Sequence, residues 1–219
     1  FDELRLRAQQ VERSSLAGSM KLSAFSDSIV VSEELLDGAG VDRIAGYAGY
    51  LALDLLAKGF LVRGGLAVGD LYHQNGTVFG PALIEAYHLE SKVAVYPRLA
   101  VSAEFRSVMT ARIGTPRYGL NPVFDAYRVA SLFRTDFDGV IHVDIFGPFI
   151  PSPLAYLEGS GMYQSPMPGG PGVAVTKEIK AAAARNAVAL TRRLRFRPAA
   201  QQKYYWMDRY LADVCARNG

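Results

Sequence analysis

The chain has 219 residues, half of them hydrophobic and 21% charged, enough apolar side chain to bury the core of one domain and far from the composition of disorder. A single cysteine, Cys215, excludes a disulfide framework and a thiolate zinc site and points to a cytoplasmic protein, while no apolar run approaches the roughly 18 residues of a membrane span and no leader pattern precedes the first helix. The net charge of +3 is uneven, with ten Lys or Arg against three Asp or Glu from Lys177 onward, which a solvated basic helix face explains without nucleic acid.

In chain order, residues 2–17 read as a helix, with Leu4, Leu6, Val11 and Leu16 among charges. The period then changes from helical to alternating. Residues 20–25 and 28–32 read as two strands with Ser26 and Asp27 at a tight turn between them, a hairpin pattern. Residues 41–58 put Ile44, Tyr47, Ala48, Leu51 and Leu55 on one helical face and stop at Gly59, a normal residue just past a helix end. Residues 60–71 follow as a strand carrying Gly64, Gly65 and Gly69, glycines that suggest a bulge or a closely approaching backbone. Asn75-Gly76 supplies a turn, with His73 beside it, and residues 81–93 read as a helix that tolerates Pro81 in its first turn.

Strands are expected at residues 98–101, 127–133 and 140–145, the last two joined around Asp138-Gly139. Residues 147–172 are dense in Pro, Gly and Ser and read as an irregular excursion. Two terminal helices cover residues 176–195 and 198–217, the second bringing Tyr204, Tyr205, Trp206 and Leu211 for packing. The order implies an α+β domain, a mainly antiparallel sheet with helices on one face. Residues 1–146 would form the core, 147–172 the irregular segment and 173–219 a helical extension packed on it. A strand ahead of the first helix would complete a β-α-β-β-α-β, ferredoxin-like unit.

Two segments carry a resemblance. Lys21-Leu-Ser-Ala-Phe-Ser-Asp27-Ser-Ile-Val-Val-Ser32 is similar to the β-hairpin of the class III nucleotidyl cyclases, where an Asp at the turn binds metal. Val62-Arg-Gly-Gly-Leu-Ala-Val-Gly69, followed by Val78-Phe-Gly80 and a helix ending in Leu89-Glu90, resembles the family's glycine-bearing strand and the helix after it, in the same order and at the same separation. The positions at which the purine cyclases carry base-reading side chains hold Ser23 and Thr77, and their helical Asn and Arg align with Ile84 and His88. With Tyr96-Pro97-Arg98 and the aromatic terminal helix around Trp206, the set most resembles the bacterial pyrimidine cyclases of the Pycsar antiphage defence system.

That resemblance implies a homodimer with shared active sites that converts UTP to 3′,5′-cyclic UMP and pyrophosphate, using two manganese or magnesium ions per site, for a separate effector protein. Such a reaction is an in-line attack of the ribose 3′-oxygen on the α-phosphorus, helped by carboxylate-held cations. Asp27 is the expected catalytic metal ligand, Tyr87 and Arg63 the other catalytic candidates, and Ser23, Phe25, Thr77 and Arg98 the substrate-binding set. Arg63 and Arg98 are candidates because a guanidinium forks onto phosphate oxygens. Asp27 also suits ordinary turn chemistry, and Tyr87 also suits a core position. The family's other metal carboxylate would lie on a strand ahead of Phe1; Asp2 suits a helix N-cap better, and Asp70 is a fallback ligand. His73, His88 and His142 lack a second ligand at metal spacing and read as structural. Cytidylate or purine cyclisation on the same fold, and a catalytically inactive nucleotide-binding module, remain as alternatives, since a Ser or Thr hydroxyl satisfies either pyrimidine edge.

Overall fold

The structure is a computed structural model. It describes residues 20–35, 39–112, 130–147, 171–194 and 198–218, with side chains of the last two stretches described over 178–192 and 201–217. The helix expected at 2–17 and most of the irregular segment, 148–170, lie outside the described residues.

Strands β1 (Lys21–Phe25) and β2 (Ser28–Ser32) pair antiparallel from Lys21↔Ser32 to Phe25↔Ser28, leaving Ser26 and Asp27 as a two-residue turn. Ser26 takes the positive φ, 55°, as the first central residue of a hairpin turn must when only one residue is left-handed. Alternation sends Leu22, Ile29 and Val31 to one face, where they pack with Met20 against Tyr47 of helix α1 (Ala39–Ala57). Lys21, Ser23, Phe25, Ser28, Val30 and Ser32 share the other face by register.

Helix α1 ends as its sequence foretells. Gly59 sits at φ 90°; its N–H reaches the Leu56 carbonyl and that of Phe60 the Leu55 carbonyl, each at 2.9 Å, a Schellman closure of otherwise orphaned carbonyls. Asn186 of helix α4 (Pro171–Leu194) adds a side-chain bond to the Ala57 carbonyl at 2.6 Å, and α4 lies along α1 for much of its length.

The central sheet has four strands in the order β3 (Gly64–Leu66), β6 (Leu99–Val101), β8 (Ile141–Val143), β7 (Phe133–Thr135). β3 and β6 run parallel; β6–β8 and β8–β7 are antiparallel. Between β3 and β6 come the hairpin β4 (Tyr72–Gln74) and β5 (Thr77–Phe79), helix α2 (Pro81–His88) and a π-helical turn over Leu89–Val93. Asn75 and Gly76 both take positive φ in that hairpin's turn, the conformation that favours Asn-Gly. Helix α3 (Ala103–Arg112) follows β6, and α5 (Pro198–Asn218) closes the described chain.

Register divides the sheet into two faces. Gly65, Ala100, His142 and Arg134 form one row across it, covered by Leu89 and Ala94 at one end and by Trp206 and Tyr210 of α5 over His142. Leu66, Leu99, Phe133 and Val143 belong to the opposite face by alternation and join the main core with Leu53 and Leu56 of α1 and Phe105 and Met109 of α3. The arrangement is mixed α+β with antiparallel-rich sheets, and no helix among the described residues is long and apolar enough to cross a membrane.

Several expected elements move. The strand expected over 60–71 shortens to Gly64–Leu66, because the chain there leaves the sheet for the next hairpin. Of the strand expected at 127–133, residues 127–129 lie outside the described residues, Ala130 is helical, and the described strand runs Phe133–Thr135; Asp136 and Gly139 then close the turn through bonds to Val140 and back to Asp136. His73, expected in a turn, is in strand β4 and buried. Helix α3 was not foreseen. Its signal is Ser102, whose hydroxyl accepts the Phe105 N–H at 3.0 Å as an N-cap does, ahead of apolar residues at 105 and 109.

Candidate functional site

Asp27 is exposed at the β1–β2 turn, and its carboxylate makes no hydrogen bond to any described residue. It is therefore not held by its own main chain, the competing explanation for an aspartate in a turn. Phe25, one residue before the turn, is also largely exposed. The hairpin tip thus presents a carboxylate and an aromatic ring to solvent.

Ser23 lies on the face of the same hairpin opposite Leu22, Ile29 and Val31. Its Oγ is 2.8 Å from Nε2 of His73, while Ser32 Oγ is 2.7 Å from Nδ1 of the same ring. The imidazole is 5% exposed and joins the two hairpins. Thr77 pairs with Gln74 while His73 pairs with Val78, so alternation puts Thr77 on the far face of β4–β5, exposed beside the stacked rings of Tyr72 and Phe79 at 4.8 Å. Ser23 and Thr77, expected to read a base together, do not share a face within one chain.

Arg63 pairs with Glu90 at 2.6 Å on the surface, a contact of little energetic consequence that leaves the guanidinium accessible. Arg98 is a different case. Its side chain is fully buried; Nη1 donates to Asp136 at 2.5 Å, and both terminal nitrogens grip Asp138 at 2.9 and 2.5 Å. Nη2 also reaches the Val93 carbonyl at 3.3 Å. The expectation that Arg98 binds phosphate gives way to a structural role: a cation taken this far out of water must be paired, and its two aspartates do that. The Arg98 hydrogen bond holds the Asp138 carboxyl below its ordinary range. A small crevice between Leu56, Phe60, Leu61, Val62, Leu99 and Met207 also touches Arg98, but its free interior of about 10 Å³ has room for a water at most.

Tyr87 and Ile84 are exposed on α2, a helix with no buried residue. The core position that would suit Tyr87 is not the one it occupies. Asp70 is exposed, and its main-chain carbonyl accepts the Ala82 N–H at 3.2 Å.

Sequence reasoning missed a buried polar network under α5. Asp144, 2% exposed, accepts from Tyr210 Oη at 2.5 Å and Arg217 Nη1 at 2.8 Å. Trp206 Nε1 donates to Asp136, and Arg134 pairs with Asp213. Lys180 donates to the Phe146 and Gly147 carbonyls at 3.3 and 2.6 Å, and burial lowers its pKa to about 8. Burial likewise pushes the Tyr210 phenol well up and the His142 imidazole down. The legible signal was Asp144 itself, an acid inside the apolar run Val143-Asp-Ile-Phe146.

Among the described residues no group of three or more His, Cys, Asp or Glu side chains gathers where it could hold a metal ion. Asp27 is one carboxylate, and one carboxylate does not fit a two-ion site. No protein-family model, curated protein or solved structure matches the chain, so the residues themselves carry the functional reading.

Proposed function

We propose that the chain is the catalytic core of a cytoplasmic pyrimidine nucleotide cyclase, a lyase that turns UTP into 3′,5′-cyclic UMP and pyrophosphate as a messenger for a separate effector in antiphage defence. The observation that carries the reading is Asp27: a carboxylate at the exposed tip of a tight hairpin, bonded to no described residue, is at liberty to take a cation. Manganese or magnesium, when bound, would neutralise triphosphate charge and acidify the 3′-hydroxyl. Among the described residues Asp27 alone stands ready as a carboxylate for such an ion.

Asp27 projects the ligand, Phe25 offers a ring beside it, Ser23 a hydroxyl for a base edge, and Arg63 a surface cation for phosphate. Exposed Tyr87 and Thr77 would act across a homodimer, completing the partner's site, which accords with Thr77 lying on the face of β4–β5 away from Ser23 and with the exposure of Tyr87 on α2. The observation that favours the second reading, an inactive nucleotide-binding module, is the lack of a carboxylate cluster among the described residues.

Offering all four nucleoside triphosphates with manganese to the full-length protein, and identifying products by mass spectrometry, tests the choice. Cyclic UMP is expected, with Asp27→Ala lowering its formation by at least about a hundredfold, the scale of losing an electrostatic catalytic group. Full activity in that variant removes Asp27 from the mechanism; bound triphosphate without product supports the inactive module.

A further inference from the structure

The polar network under α5 holds a group that the cyclase reading leaves unused. Lys180 lies on α4, mostly covered but with part of its surface in water. Its Nζ donates to the Gly147 carbonyl at 2.6 Å and to the Phe146 carbonyl at 3.3 Å, so both partners are main-chain oxygens. Lys58, by contrast, pairs with the Asp54 carboxylate at 3.3 Å. Asp144, the acid that acts on Lys180 through space, is already engaged by Tyr210 Oη at 2.5 Å and Arg217 Nη1 at 2.8 Å. An ammonium has three N–H groups to satisfy; a neutral amine has two, with a lone pair in the remaining tetrahedral position. Two carbonyls therefore satisfy the neutral form completely and the charged form in part, and a charge drawn out of water without a counter-ion in contact is disfavoured. Burial accordingly brings the Lys180 pKa down to about 8.

We infer that Lys180 is an acylation site, a nucleophilic amine that takes an acyl group from an activated donor, an acyl phosphate or an acyl thioester; the inference stands independently of the cyclase reading. The lone pair on Nζ forms the new bond to the acyl carbon. The bond from that carbon to the donor's oxygen or sulfur breaks, phosphate or thiolate leaves, and the surplus amine proton passes to solvent. The two carbonyls select this class of product. A secondary amide keeps one N–H for the Gly147 carbonyl, whereas a carbamate formed with carbon dioxide would turn an anion towards two carbonyl oxygens, and a neutral imine formed with an aldehyde would keep no N–H at all. Acylation elsewhere breaks ion pairs of the kind that Lys58 makes; at Lys180 it gives up one hydrogen bond and a charge that burial already disfavours. The link from α4 to the chain beyond β8 then falls from two bonds to one.

The test is competitive labelling of the full-length protein, with acetyl phosphate in one arm and acetyl-coenzyme A in the other, read site by site by peptide mass spectrometry. At about pH 8 an amine with the pKa of Lys180 is about half neutral, and an ordinary lysine less than about 1%. Lys180 is therefore expected to acetylate about tenfold faster than Lys92, which is the more exposed of the two, so that access alone would favour the opposite order. In urea, where the carbonyl contacts are gone, the two rates are expected to converge. A fast Lys180 in either arm supports the site, and the faster arm identifies the donor class. Lys180 reacting no faster than Lys92 in both arms, or an advantage that survives in urea, overturns the inference. Neither result touches the cyclase reading, which product analysis decides separately.

Discussion

Lys180 is a buried ammonium satisfied by two main-chain carbonyls and not by a carboxylate in contact. Burial lowers its pKa to about 8 from an ordinary 10.5, with Asp144 opposing the shift. Between those values the unfolded chain holds a proton that the folded chain has released, so stability rises with pH there, by up to about 1.4 kcal/mol per pH unit. Tyr210 acts in the opposite sense. Its phenol is pushed well above 10 by burial and by Asp144, so above pH 10 the unfolded state loses a proton that the folded state keeps, and stability falls. Burial depresses His142 below 6.5, so the unfolded state gains a proton first on acidification and stability falls there too. Urea melts from pH 5 to 11 are expected to show stability climbing from about pH 8 to 10 and dropping beyond it; in Lys180→Met the climb disappears and the drop remains. A flat profile between pH 8 and 10 in the parent chain would show the Lys180 amine to be solvated. At this scale, Asp27 and its turn were legible because hairpin chemistry is local. The burial of Arg98 was not, because the aspartates that neutralise it lie 38 and 40 residues away.

The glycines of β3 show what an element's sequence says and what it withholds. Gly65 was readable as a site of close approach, and the structure supplies the neighbour: a Cβ there would sit 2.3 Å from the Ala86 carbonyl oxygen and 2.6 Å from Leu89 Cβ. Both belong to the helical stretch that crosses the sheet at this strand, and neither contact is a flexible side-chain end. Gly65→Ala must therefore displace backbone, and overpacking of this kind costs about 1–3 kcal/mol. The expected result is a lower urea midpoint with an unchanged slope, the mark of lost stability without lost compactness. A loss below about 0.5 kcal/mol would mean that α2 does not rest on β3 in solution. The hairpin and α1 were readable from turn residues and a clean helical face. Helix α3 is weakly signalled in the sequence because its apolar positions are few, and the strand expected over 60–71 is longer than the one formed because periodicity does not reveal where a chain leaves a sheet. What the elements show is the α+β class with antiparallel-rich sheets.

At the scale of the molecule the imbalance is on one side. The core gathers α1, α3, α4, α5 and one face of the sheet, and a buried polar network fastens α5 to the strands. The Tyr72–Phe79 face of the β4–β5 hairpin and the outer side of α2 are exposed. Tyr72 and Phe79, stacked on the hairpin, are 43 and 58% exposed, and Ile84 and Tyr87, one turn apart on α2, are 71 and 69% exposed; exposed large apolar side chains of this kind suit an interaction surface. Pairing of two copies through this surface is the arrangement that the shared-site proposal requires, since a two-fold contact places the same patch on both sides. Ile84→Asp puts a charge on this surface, where a carboxylate buried unpaired against a second copy is costly, yet it scarcely touches the isolated chain because the side chain is mostly in solvent. Sedimentation velocity is expected to find the parent protein dimeric and Ile84→Asp monomeric at the same micromolar concentration, with urea stability changed by less than about 0.5 kcal/mol once dissociated. Cyclic nucleotide formation should fall together with the dimer fraction. A parent protein that stays monomeric, or a variant that dimerises as well as the parent, would remove this face from the assembly and leave Tyr87 and Thr77 without a site to complete.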